Sequence, residues 1–173
     1  WGGKRYPYPS PGVPATGDHT AVMAAFAEGT RAQQGDRLSA AIQSYRRAAQ
    51  LDPAYYEAHH NLGLAAAEAG DLSQALSAYE SALALKPDSL DARYNFALVL
   101  KQSNYTVDAA NELEKLLAMH PGEARAHLAL GNLYDQQLRQ TARAREHYLR
   151  VLELDPQNTQ APAIRYWLTT HKP

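Results

Sequence analysis

Small and large side chains alternate at a nearly constant interval along most of the chain. The recurring small residues are Ala41, Ala75, Ala109 and Ala144. A large side chain follows each of them four positions later, at Tyr45, Tyr79, Leu113 and Tyr148. Earlier in each unit stands a pair, at Glu28-Gly29, Leu62-Gly63, Phe96-Ala97 and Leu130-Gly131. Because residues four apart share one helix face, each unit predicts two amphipathic helices packed against each other.

Prolines separate the units. Their spacings are 34, 34 and 35 residues, at Pro53, Pro87, Pro121 and Pro156. Proline disfavours helix at the residue before it and suits the first turn of the next helix. A fixed period in this range is typical of stacked helical repeats, so we expect an all-α fold. The predicted helices span 19–34, 37–51, 54–69, 72–85, 89–103, 106–119, 123–137, 141–154 and 159–169.

These residues resemble the tetratricopeptide repeat (TPR), a 34-residue helix-turn-helix unit with an early Leu-Gly, an Ala-x3-aromatic and a closing Pro. Repeats two and four match well, whereas repeat three has Ala97 and Leu113 in place of glycine and the aromatic residue. The resemblance implies an α-solenoid that winds as a right-handed superhelix. We expect an extended arm at 1–18, repeats near 22–55, 56–89, 90–123 and 124–157, and a capping helix and tail at 158–173.

Residues that terminate helices mark the turns inside the hairpins. Gly35 and Gly70 are expected to take the left-handed conformation, and Asn104 to replace glycine in the third turn. The expected N-cap residues are Asp36, Asp71, Thr106 and Thr141.

Charge and cysteine content exclude several classes of protein. Lys and Arg total 17 against 18 Asp and Glu, a net charge of −1, so a general nucleic-acid binder is not expected. No apolar run approaches the length of a transmembrane helix. Cysteine is absent, which removes disulfides, thiolate metal sites and cysteine nucleophiles. The start at Trp1, without Met, leaves the compartment open and favours an exported chain, periplasmic or at the cell surface, over a cytoplasmic one.

Catalytic and metal-binding patterns are also missing. The sequence has no Gly-x-Ser-x-Gly, phosphate loop or Gly-x-Gly-x-x-Gly, and we expect no catalytic residue and no cofactor. The seven histidines lack the spacing of a metal site, so no metal is expected, and His59 and His127 are expected to pack between helices. Carboxylates such as Glu57, Glu68 and Glu80 are expected on the solvated face.

The TPR resemblance implies a concave groove, lined by the first helix of each hairpin, that holds peptides. The candidate groove residues are Phe26, Thr30, His60, Leu64, Tyr94, Leu98, Lys101, Leu128 and Asn132. The family's carboxylate clamp is incomplete here, because His60 and Leu64 stand in its first slot. An apolar or aromatic peptide is therefore expected. That several of these residues simply pack between hairpins is an open alternative.

The N-terminal arm is rich in proline, with Pro7, Pro9, Pro11 and Pro14. It is expected to be extended and anchored by Trp1, Tyr6 and Tyr8 in an apolar groove. We expect that groove to belong to a neighbouring copy or another protein more often than to the same chain.

These features predict a non-enzymatic protein that binds a protein or peptide partner and acts as an adaptor or scaffold. The alternative is a structural subunit whose arm and solenoid ends join copies into an assembly.

Overall fold

The computed structural model describes residues 3–173. Over that range the regular structure consists of helices, with no strand, which confirms the all-α prediction. The helices are α1 His19–Gln34, α2 Leu38–Leu51, α3 Tyr56–Glu68, α4 Leu72–Leu85, α5 Leu90–Gln102, α6 Thr106–Met119, α7 Ala124–Gln136, α8 Thr141–Leu154 and α9 Ala161–Thr170. Each begins and ends within about two residues of its predicted bounds.

The helices belong to two compact units. Residues 6–103 form one, with α1–α5, and residues 104–173 together with residues 3–5 form the other, with α6–α9. In the first unit α1 pairs with α2 and α3 with α4, while α2 packs on α3 and α4 on α5. In the second unit α6 packs on α7, α7 pairs with α8, and α9 contacts α8. Within each unit, neighbouring helices therefore pack in sequence order, as expected for a solenoid.

Glycine opposite tyrosine brings the two helices of a hairpin close together. A Cβ added to the glycine would stand 2.6, 2.7 and 2.6 Å from the facing ring in the pairs Gly29–Tyr45, Gly63–Tyr79 and Gly131–Tyr148. The repeated alanines are fully buried, at Ala41, Ala75, Ala109 and Ala144. Minimal side chains thus leave room for the large ring, as the repeat pattern predicts.

The turns inside the hairpins follow the prediction in part. Gly70 is left-handed at φ 80°, and the Asp71 carboxylate accepts a hydrogen bond from the backbone N–H of Gln74, as predicted for an N-cap. Asn104 also has a positive φ. The first turn was predicted wrongly, because Asp36 takes the left-handed position and the N-cap is Arg37.

Two further N-caps were also predicted wrongly. Thr106 and Thr141 are the first residues of their helices, and the N-caps are Tyr105 and Gln140. Neither N-cap side chain makes a capping hydrogen bond. In the fourth hairpin the left-handed residue is Arg139. The extra residue of this turn lets the chain reverse one position later than in the other hairpins.

The arm, residues 3–18, has no regular secondary structure, and its end is pinned to the end of α2. The Gly17 N–H donates to the Asp52 carboxylate over 2.9 Å, and the Asp18 N–H donates to the Leu51 carbonyl over 2.9 Å. Asp18 then caps α1 by accepting from the Ala21 N–H. Both buried Asp52 and the cap fix the direction in which α1 leaves the arm.

The last helix covers the end of α8. Ala161 and Ile164 are buried, and the Trp167 ring lies edge-on to Tyr148 with 5.0 Å between centroids. Pro162 falls in the first turn of α9, where a missing N–H costs no helical hydrogen bond. Arg145 of α8 donates to the carbonyl oxygens of Leu168 and His171 beyond it. These contacts fit the role predicted for a capping helix.

Candidate functional site

Two rows of candidate groove residues cross the first helices of residues 6–103. Phe26, His60 and Tyr94 form one row, and Thr30, Leu64 and Leu98 form the other, one helical turn further on. All six are half-buried, as is Lys101 near the end of α5. Since residues i and i+4 share one face of a helix, both rows lie on the same face of α1, α3 and α5. We call this surface the first-helix face.

Phe26 contributes only part of its ring to the first-helix face. The ring packs against Tyr45 and Tyr55, with centroid distances of 5.6 and 5.4 Å. The Thr30 hydroxyl donates to the Phe26 carbonyl, within the same helix. The α1 end of the face is therefore held rigidly by core contacts.

His60 lies in a stack of aromatic rings on α3. It is parallel to Tyr56, with 5.6 Å between centroids, and edge-on to Tyr79. Burial lowers the pKa of His60, although the nearby Asp91 and Glu57 oppose the shift. The ring is accordingly neutral at pH 7 and offers the face an aromatic surface rather than a cation.

Charged groups border this stack. The Lys86 ammonium sits 4.3 Å from the Tyr56 ring centroid and 3.8 Å from a Glu57 carboxylate oxygen. The Tyr56 hydroxyl is 2.7 Å from the Ser89 hydroxyl. The first-helix face thus has an apolar interior with a polar border at the start of α3 and α5.

In residues 104–173, α7 carries the two remaining candidates, Leu128 and Asn132, which are half-buried. The Tyr148 hydroxyl donates to the Asn132 side-chain oxygen over 2.9 Å, and burial raises the pKa of Tyr148 to about 12. Asn132 therefore supports the hairpin crossing beside Gly131, a role that sequence reasoning had left as the alternative.

The arm anchors contact their own chain in this structure. Tyr6 and Tyr8 lie edge-on to each other at 5.0 Å, and both lie edge-on to Phe96 at 5.8 and 6.2 Å. The Ser10 N–H donates to the Glu80 carboxylate over 3.2 Å. Phe96 and Glu80 lie outside the predicted groove set, and docking of the arm on a neighbouring copy stays a prediction. Trp1 lies outside the described residues.

Buried carboxylates are the features that sequence reasoning missed. Glu80 was expected in solvent but is buried beside Ser10 of the arm. In the second unit Asp108 is fully buried, and the Arg5 guanidinium binds both of its oxygens at 2.9 to 3.2 Å. Lys4 stands over the Tyr105 ring at 4.4 Å. The basic and aromatic residues of the arm were the only hint in the sequence that it binds buried carboxylates. The pairs themselves do not repeat with the 34-residue period, so the sequence pattern does not identify them.

His59 and His127 have a structural role at the hairpin junctions. Nε2 of each ring lies 2.8 and 2.9 Å from the carbonyl of the proline six residues earlier, Pro53 and Pro121. Arg93 makes the equivalent bond to Pro87 over 2.7 Å. The side chain at this repeat position thus ties the inter-repeat turn to the first helix, in line with the packing role that was expected.

His127 also joins a polar network between α6, α7 and α8. Its Nδ1 is 3.0 Å from Nδ1 of His147, whose Nε2 lies 3.4 Å from a Glu114 oxygen. The Tyr134 hydroxyl donates to Glu114 and accepts from Arg143. Burial lowers the pKa of His147, while Glu114 opposes the shift.

Within residues 3–173, no three His, Asp or Glu side chains cluster closely enough to hold a metal ion. A membrane span would need a longer and more apolar helix than any in the same range.

Comparison with known proteins gives a consistent family assignment. Models of the tetratricopeptide repeat match residues 32–70, 56–89 and 94–159. No curated protein sequence matches the chain. MamA from Desulfovibrio magneticus RS-1 superposes with a TM-score of 0.77 at 24% identity, over 91% of this chain and 89% of that one.

Two other solved structures share the fold. YrrB, a TPR protein with an unusual peptide-binding site, has a TM-score of 0.69 at 17% identity, over 87% of this chain and 79% of that one. An O-GlcNAc transferase variant from Thermobaculum terrenum has a TM-score of 0.66 at 26% identity, over 81% of this chain but only 27% of that one. The proline period, the glycine–tyrosine crossings and the matched repeats place this chain in the tetratricopeptide repeat family.

Proposed function

We propose that the protein is a non-catalytic adaptor whose first-helix face binds an apolar or aromatic peptide segment of a partner protein. The observation that carries the proposal is the pair of half-buried rows at one repeat register, Phe26, His60 and Tyr94 beside Thr30, Leu64 and Leu98. Side chains in a closed core would be buried, and those on a plain solvated helix would be polar and exposed.

The chemistry of the face favours an apolar ligand. Leu64, Leu98 and Tyr94 present apolar surface, and burial keeps the neighbouring His60 ring neutral. Lys86 and Glu57 stand at one border and can orient polar groups of a bound segment without capturing a carboxylate terminus. A ligand that buries these side chains gains roughly 25 cal/mol for each Å² of apolar area removed from water.

The alternative of an assembly held by exchanged arms has less support. Tyr6, Tyr8 and Ser10 already meet partners on their own chain, so no unsatisfied anchor among them calls for a second copy.

A displayed library of random dodecapeptides tests the adaptor proposal. The enriched sequences are synthesised, and their affinity for the full chain is measured by fluorescence anisotropy. We expect aromatic and aliphatic residues to be enriched. The double substitution Leu64→Glu with Leu98→Glu is expected to weaken binding at least about tenfold, because two buried charges oppose an apolar ligand.

Leu149→Glu is the control, since Leu149 is 41% exposed on α8 and is not one of the residues of the first-helix face. It should leave the affinity unchanged. Equal affinities of the double variant and the parent, with both folded by circular dichroism, would contradict the proposal.

A further inference from the structure

Within residues 6–103 the arm lies in a slot between α4, the second helix of one hairpin, and α5, the first helix of the next. We call it the arm slot. Glu80 of α4 accepts from the Ser10 N–H, and Phe96 of α5 packs against Tyr6 and Tyr8. Tyr8 and Ser10 have φ values of 46° and 51°. Non-glycine residues keep such angles where the surroundings impose them, so the slot shapes the segment that it holds.

The same two positions recur one repeat earlier in the same unit. They are Arg46 on α2 and Leu62 on α3, each 34 residues before its counterpart. Both line an open groove of about 570 Å³, which we call the Arg46 groove. Leu62 is 8% exposed and forms an apolar floor, as Phe96 does beneath the arm. The repeat symmetry thus places a second slot of the same kind beside α2.

The Arg46 groove differs from the arm slot in charge. Arginine replaces glutamate at the wall, and Arg46 is exposed. The α4 side presents three hydroxyls at helical spacing, from Ser73, Ser77 and Ser81. The acidic side chain at the rim, Asp71, is engaged by the backbone and side-chain nitrogens of Gln74. Hydrogen-bond donors and one cation therefore dominate the lining.

We propose that the Arg46 groove binds an extended, acidic segment of a protein partner. A carboxylate of the segment pairs with the Arg46 guanidinium, an apolar or aromatic side chain lies on Leu62, and the serine hydroxyls bond its main chain. The occupant is not this chain's own arm or that of a second copy. Residues 1–17 contain no Asp or Glu that could pair with the Arg46 guanidinium.

This site is separate from the first-helix face. Its walls are the second helices α2 and α4, and its floor is Leu62 of α3. The first-helix face uses His60 and Leu64, which lie two positions from Leu62 and therefore on a different face of α3. The two proposals can therefore fail independently.

Two synthetic decapeptides provide the probe. Both copy residues 4–13 except at Ser10, the residue that meets Glu80 in the arm slot. The basic peptide carries Ser10→Lys and the acidic peptide carries Ser10→Glu. Binding to the ¹⁵N-labelled full chain is followed by NMR through the backbone amide shifts of Ser73, Ser77 and Ser81. We expect the acidic peptide to bind about fivefold more tightly than the basic one. A change of this size is what replacing repulsion by attraction at one exposed charge produces.

A charge reversal at the wall sharpens the test. Arg46→Glu gives the groove the wall charge of the arm slot, and the preference should invert so that the basic peptide binds more tightly. Arg47→Glu is the control, because Arg47 is an exposed arginine next in sequence that does not line the groove. It should leave the preference for the acidic peptide intact.

Three results would overturn the proposal. The first is equal affinity of both peptides for the parent chain. The second is an identical response to Arg46→Glu and Arg47→Glu. The third is binding that shifts the amides of Leu64 and Leu98 but not those of the three serines, since the peptide would then occupy the first-helix face.

Discussion

The second hairpin, α3 with α4, and the fourth, α7 with α8, have the same skeleton. In each, glycine faces a buried tyrosine at the crossing, and a histidine one turn earlier bonds the carbonyl of the preceding inter-repeat proline. The outer surfaces differ. His59 lines the open Arg46 groove, whereas His127 is buried against His147 and Glu114 joins their network. The same helix crossing therefore lies beside an open groove in the second hairpin and beside a closed polar cluster in the fourth.

Substitution of the glycine at the crossing should reduce the free energy of unfolding most, and by the same amount in both hairpins. Gly63→Ala and Gly131→Ala place a Cβ 2.7 and 2.6 Å from the facing ring, and both rings are buried. We expect each to lower the free energy of unfolding by about 1–3 kcal/mol, through overpacking that exceeds alanine's helix preference. Urea titration measures it.

Gly122→Ala is the control, since a Cβ there meets nothing within 4 Å. Tyr79→Leu added to Gly63→Ala recreates the Ala–Leu combination found at Ala97 and Leu113, and should recover much of the loss. If Gly63→Ala unfolds at the same urea concentration as Gly122→Ala, the shared skeleton is not what sets stability.

Substitution of the histidines should reduce stability by different amounts in the two hairpins. His59→Ala and His127→Ala each remove a bond to a proline carbonyl, but the second also removes the ring nitrogen that lies 3.0 Å from His147 Nδ1. We expect His127→Ala to cost about 1 kcal/mol more than His59→Ala. Thermal and urea unfolding measure both variants, and equal losses would mean that the closed network adds nothing to the junction.

Acid should destabilise the fourth hairpin through His147. Burial puts its folded-state pKa below the unfolded value of about 6.5, so the unfolded chain binds more protons as pH falls. The stabilisation present above about pH 6.5 is thus lost as pH falls through the folded pKa. His147→Gln should flatten the decrease in unfolding free energy between about pH 7 and pH 5.

His60→Gln serves as the comparison, because burial lowers the pKa of His60 as well. It should remove its own share of the acid response and leave that of His147 in place. A parent-like profile for His147→Gln would instead assign the acid response to other groups, among them His60, whose pKa burial also lowers.

The helices and the crossings could be predicted from the sequence because both repeat with the proline period. Local rules also predicted the turn at Gly70 and Asp71. They failed at Asp36, since aspartate itself tolerates the left-handed conformation and displaced the cap by one residue. The buried carboxylates Glu80 and Asp108 could not be predicted, because their arm partners lie 70 and 103 residues away in the chain and outside the repeat.

In the candidate site, too, the features that follow the repeat could be predicted and the contacts of the arm could not. Repeat register identified the rows of the first-helix face, and the structure leaves them half-buried. The same register relates the Arg46 groove to the arm slot, because Arg46 and Leu62 lie 34 residues before Glu80 and Phe96. Nothing in the sequence, however, marks Glu80 as a wall of the arm slot. Where the arm docks was decided by pairwise packing of Tyr6 and Tyr8 on Phe96, which has no periodic signature.

The short connection between the two fixed points of the arm has a consequence for competition. Ser10 is held at Glu80 and Gly17 at Asp52, and the residues between them, 11–16, are exposed except for half-buried Pro14. Such a tether keeps the arm at an effective local concentration on the order of millimolar. A free peptide of equal intrinsic affinity at micromolar concentration therefore competes poorly with the arm. The tethered arm thus protects its own slot from competing peptides. The untethered Arg46 groove has no such competitor, so its occupancy would follow the concentration of a partner in solution.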